Sequence, residues 1–252
     1  MSVDLTVTDA VAYITLNDPP YNILTGGMMD AVSDALDKAA AEPGLKAVAF
    51  RARGKAFSAG ADVGEHSPEM APVMIRSLGR MIRAIHNLEV PVVMAADGAA
   101  LGAGFELLLM ADVLLATDRT KLGLPEVRLG FFAPVGAAKL PALVGPARAA
   151  EIACTGRTYT AAEMQTYGVV TRVLPADELE AAMESVLGEF RLASPVVLRM
   201  NVRMFREVGL APFLPALERA EQVFLDELMS LEDVREGVAS FTEKRKPVWK
   251  NA

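Results

Sequence analysis

Two glycine-rich stretches and two glutamates are the residues of this chain whose types and spacing could carry chemistry. The stretches are Phe57-Ser58-Ala59-Gly60-Ala61-Asp62 and Ala100-Leu101-Gly102-Ala103-Gly104-Phe105-Glu106, each placed after an apolar run and before a helical pattern. Small residues let a ligand approach the main chain closely, and N–H groups at a helix start lack an intrahelical acceptor. Two such donors converging on one point would form an oxyanion hole, which stabilises negative charge on a carbonyl oxygen. Taken singly, either stretch also reads as a tight turn. The second is not a dinucleotide loop, because Gly102-Ala103-Gly104 lacks a third glycine at the required spacing and lies far from the N-terminus. Glu106 falls among Phe105, Leu107, Leu108, Leu109 and Met110, where a charge needs a partner or a task. Glu126 lies between Leu124-Pro125 and Val127, in another mostly apolar stretch. Either glutamate alone could be an ion-pair member; two beside an oxyanion hole are suited to moving protons on a carbonyl substrate.

The elements that must position these residues follow from hydrophobic periodicity. Leu5 and Val7, then Val11, Tyr13 and Ile14, predict strand, turn and strand, broken by Asn17-Asp18-Pro19-Pro20. From Thr25, Met28, Met29, Val32, Leu36 and Ala39 recur at helical spacing as far as Glu42-Pro43-Gly44, and Leu45 to Ala52 reads as a buried strand. The order then repeats: a helical stripe through Met74, Leu78, Met81, Ile82 and Ile85, a strand at Val90 to Ala95, and another at Val113 to Ala116. Helices at Ala137 to Leu143 and Pro146 to Cys154 and a strand at Val169 to Val173 complete an α/β pattern whose interior strands are covered on both faces. From Pro195 onward only helical periodicity remains, with a stripe through Phe213, Leu217, Ala220, Phe224 and Leu228 that must cover its own domain or a neighbouring subunit. The chain thus divides into a core over 1–193 and a helical region over 194–252.

Composition narrows the function classes. With 252 residues, 52% hydrophobic and 23% charged, the chain can bury a core without disulfide or metal staples. Its 25 Lys+Arg against 32 Asp+Glu leave a net charge of −7, which argues against nucleic acid or an anionic membrane as the main partner. One cysteine and two histidines offer no internal disulfide and little for a soft metal. The start MSVDLTVTDAV lacks the features of a secretory signal or transit peptide, and Asp97, Glu106 and Asp112 interrupt the most apolar stretch, so a cytoplasmic, metal-free protein is expected. Cys154 and the stripe Met70, Met74 and Met81 read as core. His66 and His86 stand in no recognisable catalytic arrangement. Asp62 reads as a cap for the next helix, and Lys244-Arg245-Lys246 as a solvated terminus.

The two glycine-rich stretches, followed by Leu124-Pro125-Glu126-Val127, resemble the enoyl-CoA hydratase/isomerase (crotonase) superfamily, and the likeness runs from Asn17-Asp18-Pro19-Pro20-Tyr21-Asn22 to Phe241-Thr242-Glu243-Lys244-Arg245. The resemblance implies a spiral of ββα repeats, a C-terminal helical region used in trimerisation, and a homotrimer or hexamer. It implies an acyl-CoA thioester as partner, with CoA belonging to the substrate and no separate cofactor. By motif position, the N–H groups of Ala61 and Ala103 would hold the thioester oxygen. Ala59, Gly60, Asp62, Gly102, Phe131, Phe241 and Lys244 would contact substrate. Glu106 and Glu126 occupy both positions at which hydratases of the family keep glutamates, which favours water addition across the α,β double bond, with Glu106 activating water and Glu126 protonating Cα. The alternatives are a cyclic dienoyl-CoA hydratase, a double-bond isomerase, or a non-catalytic acyl-CoA or RNA-binding relative. Two positions depart from the hydratase pattern. Gly64 stands where many hydratases have a lysine, and Leu129-Gly130-Phe131-Phe132-Ala133-Pro134-Val135-Gly136 replaces the usual glycine-rich run. That bulkier run resembles what hydratases of cyclic dienoyl-CoA esters would carry.

Overall fold

Strand, strand and helix follow one another four times between Val3 and Val144, and this repetition builds the interior of the computed structural model, which describes residues 2–209 and 213–248. Val3–Thr8 (β1) and Val11–Leu16 (β2) pair antiparallel. Asp9 and Ala10, both at positive φ, close the two-residue turn that matches strand twist. Gly26–Ala40 (α1) starts where the Thr25 side chain accepts the Met28 N–H. Three turns of the spiral follow: Ala47–Ala52 (β3), Ala56–Ser58 (β4) and Ala71–His86 (α2); Val92–Ala96 (β5), Ala99–Leu101 (β6) and Ala103–Leu108 (α3); Val113–Thr117 (β7), Lys121–Gly123 (β8) and Pro134–Val144 (α4). Pro146–Thr155 (α5), Thr158–Thr160 (β9), Ala161–Thr166 (α6), Arg172–Leu174 (β10) and Leu179–Leu192 (α7) come next. Pro195–Met204 (α8), Phe213–Asp226 (α9) and Glu232–Thr242 (α10) complete the order.

The first strand of each turn joins one sheet and the second joins another. The larger sheet has the order β1-β2-β3-β5-β7-β10 and is parallel apart from the β1 hairpin; the smaller has the order β4-β6-β8-β9, with only β9 antiparallel. This is the spiral of ββα turns that the resemblance implies. Alternation along the large-sheet strands splits their side chains between two cores. Ala12, Ile14, Val48, Phe50, Val92, Met94 and Leu114 face the main core with α1 and α2, whereas Tyr13, Ala49, Val93 and Leu115 face Met183, Val186 and Leu187 of α7. Burial on both faces explains why these strands read as nearly continuous apolar runs.

Several expectations change in three dimensions. The last strand begins at Arg172, because Val169 and Val170 are spent closing the end of α6, both N–H groups donating to the Met164 carbonyl. Cys154 is exposed and Met70 is 43% exposed, so neither belongs to the core, although Met74 and Met81 do. Phe213, Leu217 and Phe224 are buried within the chain, on a helix that packs against α4 and α2. The α9 stripe therefore covers its own domain. Exposed apolar side chains cluster at Val196, Val197, Met200 and Met204 of α8, flanked by Leu192 at the end of α7 and by Phe205. Among the described residues no helix is long and apolar enough to cross a membrane.

Candidate active site

Parallel pairing of the small-sheet strands brings the sequence motifs together. β4 lies beside β6 (Ser58 opposite Ala100) and β6 beside β8 (Leu101 opposite Gly123), so the chain leaves all three strands at the same edge. Ala59–Asp62, Gly102–Glu106 and Leu124–Glu126 are the segments that emerge there. Their approach depends on glycine. Gly60 has φ +105° and Gly102 φ +53°; a Cβ on Gly60 would lie 2.9 Å from the Leu101 carbonyl and 3.7 Å from the Ala103 nitrogen, and one on Gly102 would lie 2.9 Å from Glu126 Oε1. Gly104 seats α3 on β4, since a Cβ there would come within 2.6 Å of the Ser58 carbonyl.

The Asn17–Asn22 segment braces the first loop. Asn22, fully buried at φ 49°, donates through Nδ2 to the Arg53 and Ala56 carbonyls; its own carbonyl accepts the Ser58 hydroxyl, which in turn accepts the Gly60 N–H. The Ala59 N–H donates to the Tyr21 carbonyl. Ala61 and Ala103 donate none of the hydrogen bonds that knit these loops. Ala103 is the first residue of α3, where no intrahelical acceptor exists. Two peptide N–H groups on abutting loops are thus left for a ligand oxygen.

Glu106 lies on the first turn of α3 and is 2% exposed. Its Oε1 accepts the N–H groups of Val135 (2.7 Å) and Gly136 (2.9 Å), which belong to the first turn of α4. Ala133, the N-cap of α4, has no side chain able to cap it, so Glu106 supplies from another helix the negative group that a helix start favours. Burial raises the Glu106 carboxyl above its ordinary range, opposed by these two hydrogen bonds. Glu126, on the one-turn helix Pro125–Leu129, has no such support: its Oε2 is out of solvent without a partner. Burial and the neighbouring Glu106 charge both raise its carboxyl. The two carboxyls thus differ in setting: Glu106 is anchored by two peptide donors, and Glu126 bears the repulsion of the Glu106 charge with one oxygen unpaired. A base and an acid at one cavity beside two free peptide donors can take a proton from water, return one to carbon, and stabilise an enolate-like oxygen.

The cavity, of about 360 Å³, is lined by Ala59, Gly60, Ala61, Gly102, Ala103, Glu106, Glu126, Phe131 and Phe241 among the residues expected from sequence. Asp62 and Lys244 line instead an adjoining recess that shares Val63 and Phe241 with the main cavity. Lys244 thus stands beside the end of the Ala59–Asp62 loop of its own chain. Asp62 Oδ1 accepts the Gly64 N–H and caps the one-turn helix Val63–His66, as expected. The inner wall also contains Met74, read from sequence chiefly as core, Phe132 of the bulky run, and Leu78, Phe224 and His66, which the sequence did not assign to the site. Arg128, exposed, lines the cavity as well and donates to the Thr155 carbonyl at 3.4 Å. No cluster of three His, Cys, Asp or Glu side chains placed to hold a metal ion occurs among the described residues.

Comparison with known proteins gives the same result over nearly the whole chain. Residues 6–252 match the model of the family described as enoyl-CoA hydratase/isomerase. The cyclohexa-1,5-dienecarbonyl-CoA hydratase of Thauera aromatica is 35% identical over 238 residues, spanning 94% of this chain and 92% of that protein. A probable enoyl-CoA hydratase of Bacillus subtilis (strain 168) is 29% identical over 256 residues, spanning 99% and 98%. The crystal structure of an enoyl-CoA hydratase from Mycobacterium avium subsp. paratuberculosis K-10 superposes with a TM-score of 0.89, at 32% identity and 99% coverage of both chains.

Proposed function

Since the chain belongs to the enoyl-CoA hydratase/isomerase family, we propose that it adds water across the α,β double bond of an acyl-CoA thioester. The observation that carries this reading is the pair of unlike glutamates: Glu106, whose Oε1 accepts two peptide N–H groups, and Glu126, whose Oε2 is out of solvent without a partner and whose carboxyl is raised by burial and by the Glu106 charge. In the proposed reaction the N–H groups of Ala61 and Ala103 hold the thioester oxygen. Glu106 takes a proton from the attacking water and Glu126 gives one to the α carbon. An isomerase needs only one group to carry a proton between two carbons. Loss of one oxyanion donor typically costs about 3 kcal/mol in the barrier.

The acyl group is short or cyclic. Phe131 and Phe132 each pack on Phe224, with centroids 5.9 and 5.6 Å apart, in the wall of a cavity of about 360 Å³. This aromatic wall and the similarity to the Thauera aromatica enzyme favour a cyclic dienoyl-CoA ester. The CoA nucleotide reaches the recess at Lys244, and chains assemble as trimers through the exposed face of α8. Turnover of a panel of linear and cyclic enoyl-CoA esters tests the reading: a hydroxyacyl product from a cyclic or short ester, lost in Glu106→Gln and Glu126→Gln, supports it. Undiminished hydration by either variant removes that glutamate from the mechanism.

A further inference from the structure

His66 is the one imidazole of the cavity wall, and nothing in the water-addition chemistry uses it. It lies at the end of the one-turn helix that follows the oxyanion loop. Its Nδ1 stands 2.9 Å from the Asp62 carbonyl oxygen. A carbonyl can only accept, so Nδ1 carries the hydrogen and, in the neutral ring, Nε2 carries the lone pair. Burial lowers the His66 pKa, which keeps the ring neutral at physiological pH. The ring packs on Phe131 at 4.6 Å and on Phe224 at 6.5 Å. It therefore belongs to the apolar wall rather than to the recess at Lys244. Nε2 makes no hydrogen bond among the described residues.

An acceptor fixed in an apolar wall has a consequence for binding. A hydrocarbon acyl group lying against it displaces solvent and leaves Nε2 unpaired, whereas a hydroxyl would donate to it. We propose that His66 Nε2 is a fixed hydrogen-bond acceptor for the acyl group, and that the site therefore prefers acyl groups bearing a hydroxyl beyond the reacting double bond over their hydrocarbon counterparts. This rests on the acyl-CoA reading of the cavity and names the class of acyl group it takes.

Saturated acyl-CoA esters, which cannot be hydrated, separate this inference from the catalytic one. Pairs with and without a hydroxyl, placed at successive positions along the acyl group, are titrated into the wild-type protein, His66→Phe and His66→Leu. The wild-type protein should bind the hydroxylated member of at least one pair about tenfold or more tightly, and both variants should lose that preference. In parallel, the ¹⁵N spectrum of the wild-type protein should show an unprotonated His66 Nε2 that shifts with the hydroxylated ester and not with its partner; this readout stands if the variants do not fold. Equal binding within every pair, or a preference kept in the variants, overturns the proposal. Discrimination within a pair alongside failure to hydrate any enoyl-CoA ester would leave the His66 assignment intact and sink the hydratase reading instead.

Discussion

Replacing Glu126 by glutamine should stabilise the fold while abolishing the reaction, and the gain should grow with pH. In the folded protein burial and the Glu106 charge raise the Glu126 carboxyl above its ordinary 4.5. The folded state therefore holds a proton at pH values where the unfolded chain has lost it, and stability falls as pH rises through that interval. Each pH unit of such retention is worth about 1.4 kcal/mol, so retention over two units costs the native state roughly 3 kcal/mol. Glutamine keeps the shape, cannot ionise, and removes the like charge beside Glu106. Wild-type and Glu126→Gln proteins should thus unfold at similar urea concentrations near about pH 5, and the variant should gain steadily towards about pH 9. Urea unfolding followed by fluorescence or circular dichroism across that range reads the difference directly. Parallel stability curves would refute the argument, because they would mean that Glu126 titrates alike in the folded and unfolded chains.

Glu106→Gln should fold and lose about 10²–10⁴-fold in kcat with the best enoyl-CoA ester, since it removes the group kept as a base by Val135 and Gly136; steady-state kinetics checks it. Gly60→Ala should lose activity comparably, because the new Cβ would press within 2.9 Å of the Leu101 carbonyl and displace the Ala61–Ala103 donors; the same assay applies, with circular dichroism reporting the fold. Lys244→Ala should raise the Michaelis constant for the CoA ester, more at low salt than at moderate salt, and leave the turnover number little changed. Val197→Asp, on the exposed face of α8, should dissociate the assembled protein into single chains, as read by sedimentation or light scattering.

The large-sheet strands and the long helices were legible because their periodicity extends over whole elements, as in the stripe Met74–Ile85 and the run Leu45–Ala52. The small sheet was not. β4, β6 and β8 are three residues each (Ala56–Ser58, Ala99–Leu101, Lys121–Gly123), too short for a period, and their small residues read as turn. Yet those strands are what bring the three motifs to one edge. Glu106 was recognisable as an anomaly within an apolar run, but its partners were not, because nothing local links position 106 to the first turn of a helix beginning at Pro134. His66 was set aside for a related reason: its partner is a main-chain carbonyl four residues back, which leaves no mark in residue type. The helical stripe at Phe213, Leu217 and Phe224 was visible, but its partner was not, since periodicity tells that a face is covered and not by what.

In the proposed reaction one cavity adds water, with one glutamate as base and the other as acid. Incubating the protein with its best enoyl-CoA ester in ¹⁸O-labelled water, and weighing the product by mass spectrometry, tests it most directly. The product should be heavier than the substrate by one labelled water, formed by the wild-type protein and not by Glu106→Gln or Glu126→Gln. A product of unchanged mass with a moved double bond would contradict it and assign the site to isomerisation.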